Sequence, residues 1–199
     1  MLNHFHNLYQ LFLNNIVTTE KLINDFTNVS AEVKKLAEDF LNLSYNQINL
    51  RPADSQWSIG ECFGHLIRTN VKYIPVYEKY KLSDNKSNNN VYRQSIIGKL
   101  ILKTVMPDYK RKMKTPASFN PIGIDIKENI VKDFINQNNE IIELAENVDT
   151  LKLKEKISSP FSKLVKYNIG DSLLIVAYHN LRHLHQARRV MQNENFPSA

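Results

Sequence analysis

The chain is poor in the residues that brace small secreted or sheet-rich proteins. Cys62 is the only cysteine among 199 residues, so no intramolecular disulfide can form and nothing demands an oxidising compartment. Only five glycines are present and alternating apolar–polar runs are few, which turns the reading away from sheet and towards helix. No apolar run approaches the roughly 20 residues that a membrane-spanning helix needs. The start, Met1-Leu2-Asn3-His4-Phe5-His6, lacks a cationic lead, and Asn14 and Asn15 interrupt the apolar cluster from Leu11 to Val17. A secretory leader is therefore not expected, and a cytoplasmic location is. Acidic residues are outnumbered, 20 against 26 Lys and Arg, giving a formal charge of +6. That makes the surface mildly basic without deciding the fold.

What the sequence does have is helical periodicity. Leu22, Phe26, Val29, Val33, Leu36, Phe40 and Leu43 recur at alternating spacings of four and three, the seam of a helix over about Thr19 to Leu43. A turn-rich link, Asn49 to Gln56, precedes Ser58-Ile59-Gly60-Glu61, a capping box that starts a second helix. This helix is expected to run to Leu82 with a kink at Pro75. A polar connector (83–90) and a crossover carrying a short helix, Ile96 to Val105, lead to a third helix from about Asp125. Ile130, Phe134, Ile141, Leu144 and Val148 line its face. Residues 149–167 read as an irregular link, and a fourth helix spans about Gly170 to Gln192. The expectation is an all-α, four-helix bundle with long crossover connections. Residues 1–18 form an N-terminal extension, 19–193 the bundle and 194–199 a C-terminal tail.

His179 and His183 are four apart on the last helix, so their rings share a face one turn apart. The row Val176, His179, His183, Gln186, Val190 has apolar ends, which turns it to the core. His65 lies about two turns into the second helix beside Cys62 and Leu66. Three neutral imidazoles from two helices can hold zinc, nickel or another divalent ion and leave a fourth position open, the mark of a catalytic site. Core or surface histidines with no ligand role are the competing reading. A zincin protease is excluded, because Asn180 stands where its general-base Glu would follow the first histidine. Gln186 could position a ligand, or satisfy buried backbone. Glu61 could accept a hydrogen bond behind His65, although its cap already explains it. Arg68 could reach an anionic substrate, or be solvated. Cys62 reads as a small buried side chain rather than a nucleophile, and Trp57 as packing at the start of the second helix. His185, His4 and His6 are expected to be exposed. As a binding element the basic run Lys99, Lys103, Lys110, Arg111, Lys112, Lys114 could contact phosphates or a membrane surface, but it matches no nucleic-acid motif and is read as a solvated segment.

Two segments, Pro52 to His65 (PADSQWSIGECFGH) and His179 to Gln186 (HNLRHLHQ), resemble the DinB/YfiT-like metal-binding four-helix bundles. The lead-in from Leu43 to Pro52 is similar as well, and the likeness covers about residues 19 to 193. The resemblance implies that His65, His179 and His183 are a metal triad for zinc or nickel. It implies a small-thiol-dependent transferase, possessing a small thiol cosubstrate, or a hydrolase. The alternative is a non-catalytic helical bundle that binds a small molecule or metal. A small-molecule substrate is expected, with no nucleic acid and no membrane as partner, and the chain is compatible with a homodimer.

Overall fold

The first long helix begins where Thr18, in extended backbone, accepts a hydrogen bond from the Lys21 amide at 3.1 Å, and it buries Leu22, Phe26, Val29 and Val33 along one side. A computed structural model of the chain describes residues 16–81, 90–111, 115–116, 119–123 and 126–197. In chain order it contains β1 (Ile16–Thr18), α1 (Thr19–Glu38), α2 (Tyr45–Asn49), α3 (Ile59–Asn70), α4 (Ile74–Lys79), β2 (Val91–Arg93), α5 (Ile96–Val105), α6 (Ile130–Glu146), a 3-10 turn (Thr150–Lys152), β3 (Lys156–Ser159), β4 (Ser162–Asn168) and α7 (Ile169–Met191).

The bundle is formed by α1, α3 with its continuation α4, α6 and α7. Each of α1 and α3 packs against both α6 and α7. Leu22 lies at Gly170 and Asp39 faces Arg188, so α1 and α7 run parallel. Phe63 meets Phe134 edge-on and Gln137 donates to the Ile67 carbonyl, so α3 and α6 are parallel too. Trp57 stacks on His183 at one end while Tyr77 donates to Ser172 at the other, so α3 and α7 are antiparallel. Because α3 and α6 are parallel and consecutive in the bundle, the chain must return its length between them, which is why the connection from α4 to α6 is long.

Several sequence expectations are corrected. The second helix does not run on through a kink. The helix α3 stops at Asn70 and α4 restarts at Ile74, with Pro75 in its first turn. A proline ring clashes with the carbonyl four residues back and offers no N–H, so it is tolerated only where a helix begins. The first helix ends at Glu38 rather than Leu43, although Phe40 stays buried in the following turn. The third starts at Ile130; Asp125, like Leu82, lies outside the described residues. The 149–167 link holds an antiparallel hairpin, with Lys156 opposite Asn168 and Ile157 opposite Tyr167. A second ribbon pairs Ile16 with Arg93, so the last residues of the N-terminal extension are a strand. Residues 1–15, including His4 and His6, are outside the described set, as are 198–199 of the tail, whereas the Pro197 carbonyl accepts from Gln47. The fold is thus mostly helical with two small ribbons, rather than all-α.

One buried carboxylate fastens the crossover to the bundle. Asp171 completes a capping box with Asn168 at the start of α7. It also accepts from the Tyr92 hydroxyl (2.7 Å), the Ser95 hydroxyl (2.6 Å) and the Ser95 amide (3.1 Å). The backbone of α5 comes so close that a Cβ on Gly98 would sit 2.2 Å from this carboxylate, so only glycine fits. Replacing Asp171 by Ala strands several buried donors at once, each costing about 1–3 kcal/mol. The expected result is a melting temperature lower by roughly 10 °C, read by circular dichroism. An unchanged melt would contradict the assignment.

Candidate metal centre

The capping box predicted at Ser58 forms: its hydroxyl accepts from the Glu61 amide and the Glu61 carboxylate accepts from the Ser58 amide at 2.8 Å. This cap fixes where α3 begins and therefore the level at which His65 projects. The continuous helix α7 carries His179 and His183 one turn apart, and its antiparallel packing on α3 brings them level with His65. Ring centroids are 5.1 Å apart for His65 and His179, and 4.7 Å for each of the other two pairs. One nitrogen of each ring lies within 4.8 Å of the other two. Among the described residues this is the one cluster of three or more His, Cys, Asp or Glu groups able to share an ion.

The far side of two rings is fixed by hydrogen bonds. His65 Nδ1 donates to the Phe119 carbonyl at 2.8 Å, and His183 Nδ1 donates to Gln186 Oε1 at 3.0 Å. Acceptors at Nδ1 keep the proton there and leave an Nε2 lone pair facing inward, as metal-ligating imidazoles require. His65 Nε2 and His179 Nε2 are 3.2 Å apart. Two nitrogens on a shared tetrahedral ion would be roughly 3.3 Å apart, so the pair already has the spacing of two ligands. His179 Nδ1 is buried with no partner, which leaves Nε2 as this ring's working atom. Burial pushes all three pKa values down from the ordinary histidine value, with mutual repulsion adding to the effect at His179 and His183. The triad is therefore neutral at neutral pH, the state in which imidazole binds metal. Three nitrogens and no carboxylate suit zinc, nickel or a similar borderline ion better than calcium or magnesium.

The other candidates divide. Gln186 is at the site, behind His183. Glu61 is committed to Arg51, which forms an ion pair with it, and to the Ser58 amide, so it does not back His65. Arg68 is exposed on the outside of α3. Cys62 is fully buried and burial pushes its thiol well up, which makes it an inert core side chain. His185 is half-buried rather than exposed, with Nε2 out of solvent. Of the basic run, Lys103, Lys110 and Arg111 are exposed and Lys99 half-buried, while Lys112 and Lys114 are outside the described residues. Two participants escaped the sequence reading. The Phe119 carbonyl carries no side-chain signal at all. Trp57 does more than pack: its ring lies 5.4 Å from that of His183, nearly parallel, and 5.0 Å from that of His65.

The family model of the DinB superfamily matches residues 29–187, and the chain belongs to that superfamily. Among solved structures, the chain is similar to YfiT from Bacillus subtilis at 14% identity and a TM-score of 0.51, over 90% of this chain and 89% of that one. YfiT is described as a probable metal-dependent hydrolase with an unusual four-helix bundle topology. At this identity the likeness establishes the shared fold. No curated protein matches the sequence.

The lowered histidine pKa values set a pH dependence for the metal-free protein. As pH falls below about 6.5 the unfolded chain takes up protons before the folded one, so stability drops towards the folded pKa values. Each group contributes at most about 1.4 kcal/mol per pH unit in that window, and nothing above it. Melting temperature should therefore fall between pH 7.5 and pH 5.5 (about one unit either side of that midpoint), and His179→Leu should flatten the slope. Equal slopes in both proteins would show that these rings are not buried neutral.

Proposed function

We propose that this member of the DinB superfamily is a metal-dependent enzyme whose divalent ion is held by His65, His179 and His183. The observation that carries the reading is the convergence of three neutral imidazoles, two of them oriented from behind by Phe119 and Gln186. When bound, the ion supplies Lewis acidity to a water or thiol on its open side and lowers that group's pKa.

The chain's own residues supply position rather than proton transfer. Gln186 and the Phe119 carbonyl hold the imidazole protons at Nδ1. Trp57 walls one flank and keeps bulk water from the rings it covers. Among the described residues no carboxylate stands free beside the triad, because Glu61 is taken by Arg51 and Ser58. A hydrolase commonly relies on a protein general base for water. A thiol, with an ordinary pKa of about 8.5, needs far less help to become a nucleophile. On this ground we place transfer of a small thiol to an electrophilic small molecule ahead of hydrolysis, although the three-histidine donor set itself suits either nucleophile. Hydrolysis remains the second reading, supported by the description of YfiT. Zinc or nickel is the ion we propose.

Because Trp57 is the only tryptophan and touches two of the rings, its emission should report loading directly. Titration of the metal-free protein with nickel should quench it with a stoichiometry of about one ion per chain. His183→Ala should weaken binding by about 100-fold or more and abolish metal-stimulated thiol transfer, while the helical signal persists. Gln186→Leu should cost roughly 10–100-fold in affinity. Equal affinity in wild type and His183→Ala would remove His183 as a ligand. Metal loss with full activity would remove the ion from the mechanism.

A further inference from the structure

The helix α5 is fastened on one side only. Gly98 and Leu102 face inward, Ser95 is tied to Asp171, and Ile101 and Val105 pack against the core from the flank. Its opposite side is apolar and open. Ile96 is 78% exposed, Leu100 58% and Ile97 41%, although nothing prevents polar residues at such positions. The neighbouring β4 packs beside α5 and adds Leu164, at 95% the most exposed large apolar side chain described. Tyr167 and Val165 on the same strand turn towards the core, so Leu164 and Lys166 share the outer face. Apolar surface held rigidly out of the core is a mark of an interaction site.

The charges along the two stretches that carry this face have one sign. From Val91 to Pro107 the chain has Arg93, Lys99 and Lys103 and no acidic residue. From Ser159 to Gly170 it has Lys163 and Lys166 and again none, with Lys166 on the face of Leu164 and Lys163 on that of Val165. Of these five, all but Lys99 are exposed, and Lys99 is half-buried. We propose that α5 and the β4 edge form a docking face for the surface of an anionic lipid bilayer, with Ile96, Leu100 and Leu164 entering the headgroup layer and Lys99, Lys103 and Lys166 meeting lipid phosphates. Lysine is depleted from protein–protein interfaces but enriched on the polar flanks of helices that lie in a membrane interface. A second copy of the chain would set lysine against lysine across a two-fold contact. The apolar tips stand on two different elements, Ile96 and Leu100 one turn apart on α5 and Leu164 on β4, suited to a soft surface rather than to a complementary groove. No described helix is long and apolar enough to cross a membrane, and interfacial binding needs none. A membrane partner departs from the sequence expectation of none, in which the basic run from Lys99 reads as a solvated segment.

The test is flotation of the full-length protein with vesicles of phosphatidylcholine and with equimolar phosphatidylcholine and phosphatidylglycerol. The expected result is binding to the anionic vesicles only, weakened by high salt. Ile96→Asp with Leu100→Asp should lower binding by about tenfold or more, since two exposed apolar anchors are lost. Lys99→Glu with Lys103→Glu, which leaves every apolar side chain in place, should remove the preference for anionic lipid. Absence of binding to anionic vesicles at low salt would overturn the proposal, as would equal binding by the Ile96/Leu100 variant. A wild-type dimer in sedimentation that this same variant converts to monomer would assign the face to a second copy instead. Specific capture by an acidic helical peptide without vesicle binding would assign it to a protein.

Discussion

The register between α3 and α7 is the constraint on which the histidine centre depends. One helical turn is about 5.4 Å of travel, whereas ligand nitrogens must agree to a few tenths of an ångström, so a slip of a single turn would dissolve the site. The register is pinned at both ends. Near the triad the Ser58–Glu61 box sets the start of α3, and Trp57 lies against His65 and His183. At the far end the Tyr73 and Tyr167 hydroxyls share a 2.8 Å hydrogen bond, and Tyr77 donates to Ser172. Between them Ile59, Cys62, Phe63 and Leu66 are fully buried, which makes sliding costly.

Burial and chemistry work together in this arrangement. Removing imidazoles from water disfavours their charged form, and that is the same condition that readies them for a cation. Orientation comes from outside the bundle proper: the Phe119 carbonyl belongs to the long return between α4 and α6. The crossover is therefore more than a consequence of parallel neighbours. It brings a carbonyl behind His65 and, through Met106 and Tyr109, two more that accept from Arg182 at 2.6 and 2.9 Å. Asp171 secures the beginning of that same return, so the anchoring of α5 and the orientation of His65 are parts of one connection.

Much of this was legible in the sequence. The spacing of His179, His183 and Gln186, the box leading to His65, and the seam from Leu22 to Val33 each express a helical period, and each formed as read. Other features were hidden for physical reasons. A backbone carbonyl such as that of Phe119 has no side-chain signature, and it meets His65 across 54 residues of chain. Trp57 was assigned to packing because a tryptophan at a helix start needs no other purpose. The hairpin repeats its inward positions at period two, Ile157 and Ser159 on one strand and Val165 and Tyr167 on the other, but its strands are short and Pro160 divides them. Pro75 reads as a kink within one continuous helix, whereas in the structure it stands in the first turn of a new one, where its missing N–H costs nothing. In α5 apolar residues lie nearly all round, so its inner and outer faces could not be told apart before Asp171 and Gly98 located the inside.

The central claim is that three histidine nitrogens share one ion. X-ray absorption fine structure of the zinc- or nickel-loaded protein reads it most directly. The account expects a first shell of nitrogen and oxygen at about 2.0–2.1 Å with no sulfur, and outer-shell scattering from three imidazoles. In His65→Ala that outer-shell signal should fall to two. A sulfur scatterer at about 2.3 Å would bring in Cys62 and contradict the account. So would a spectrum that His65→Ala leaves unchanged.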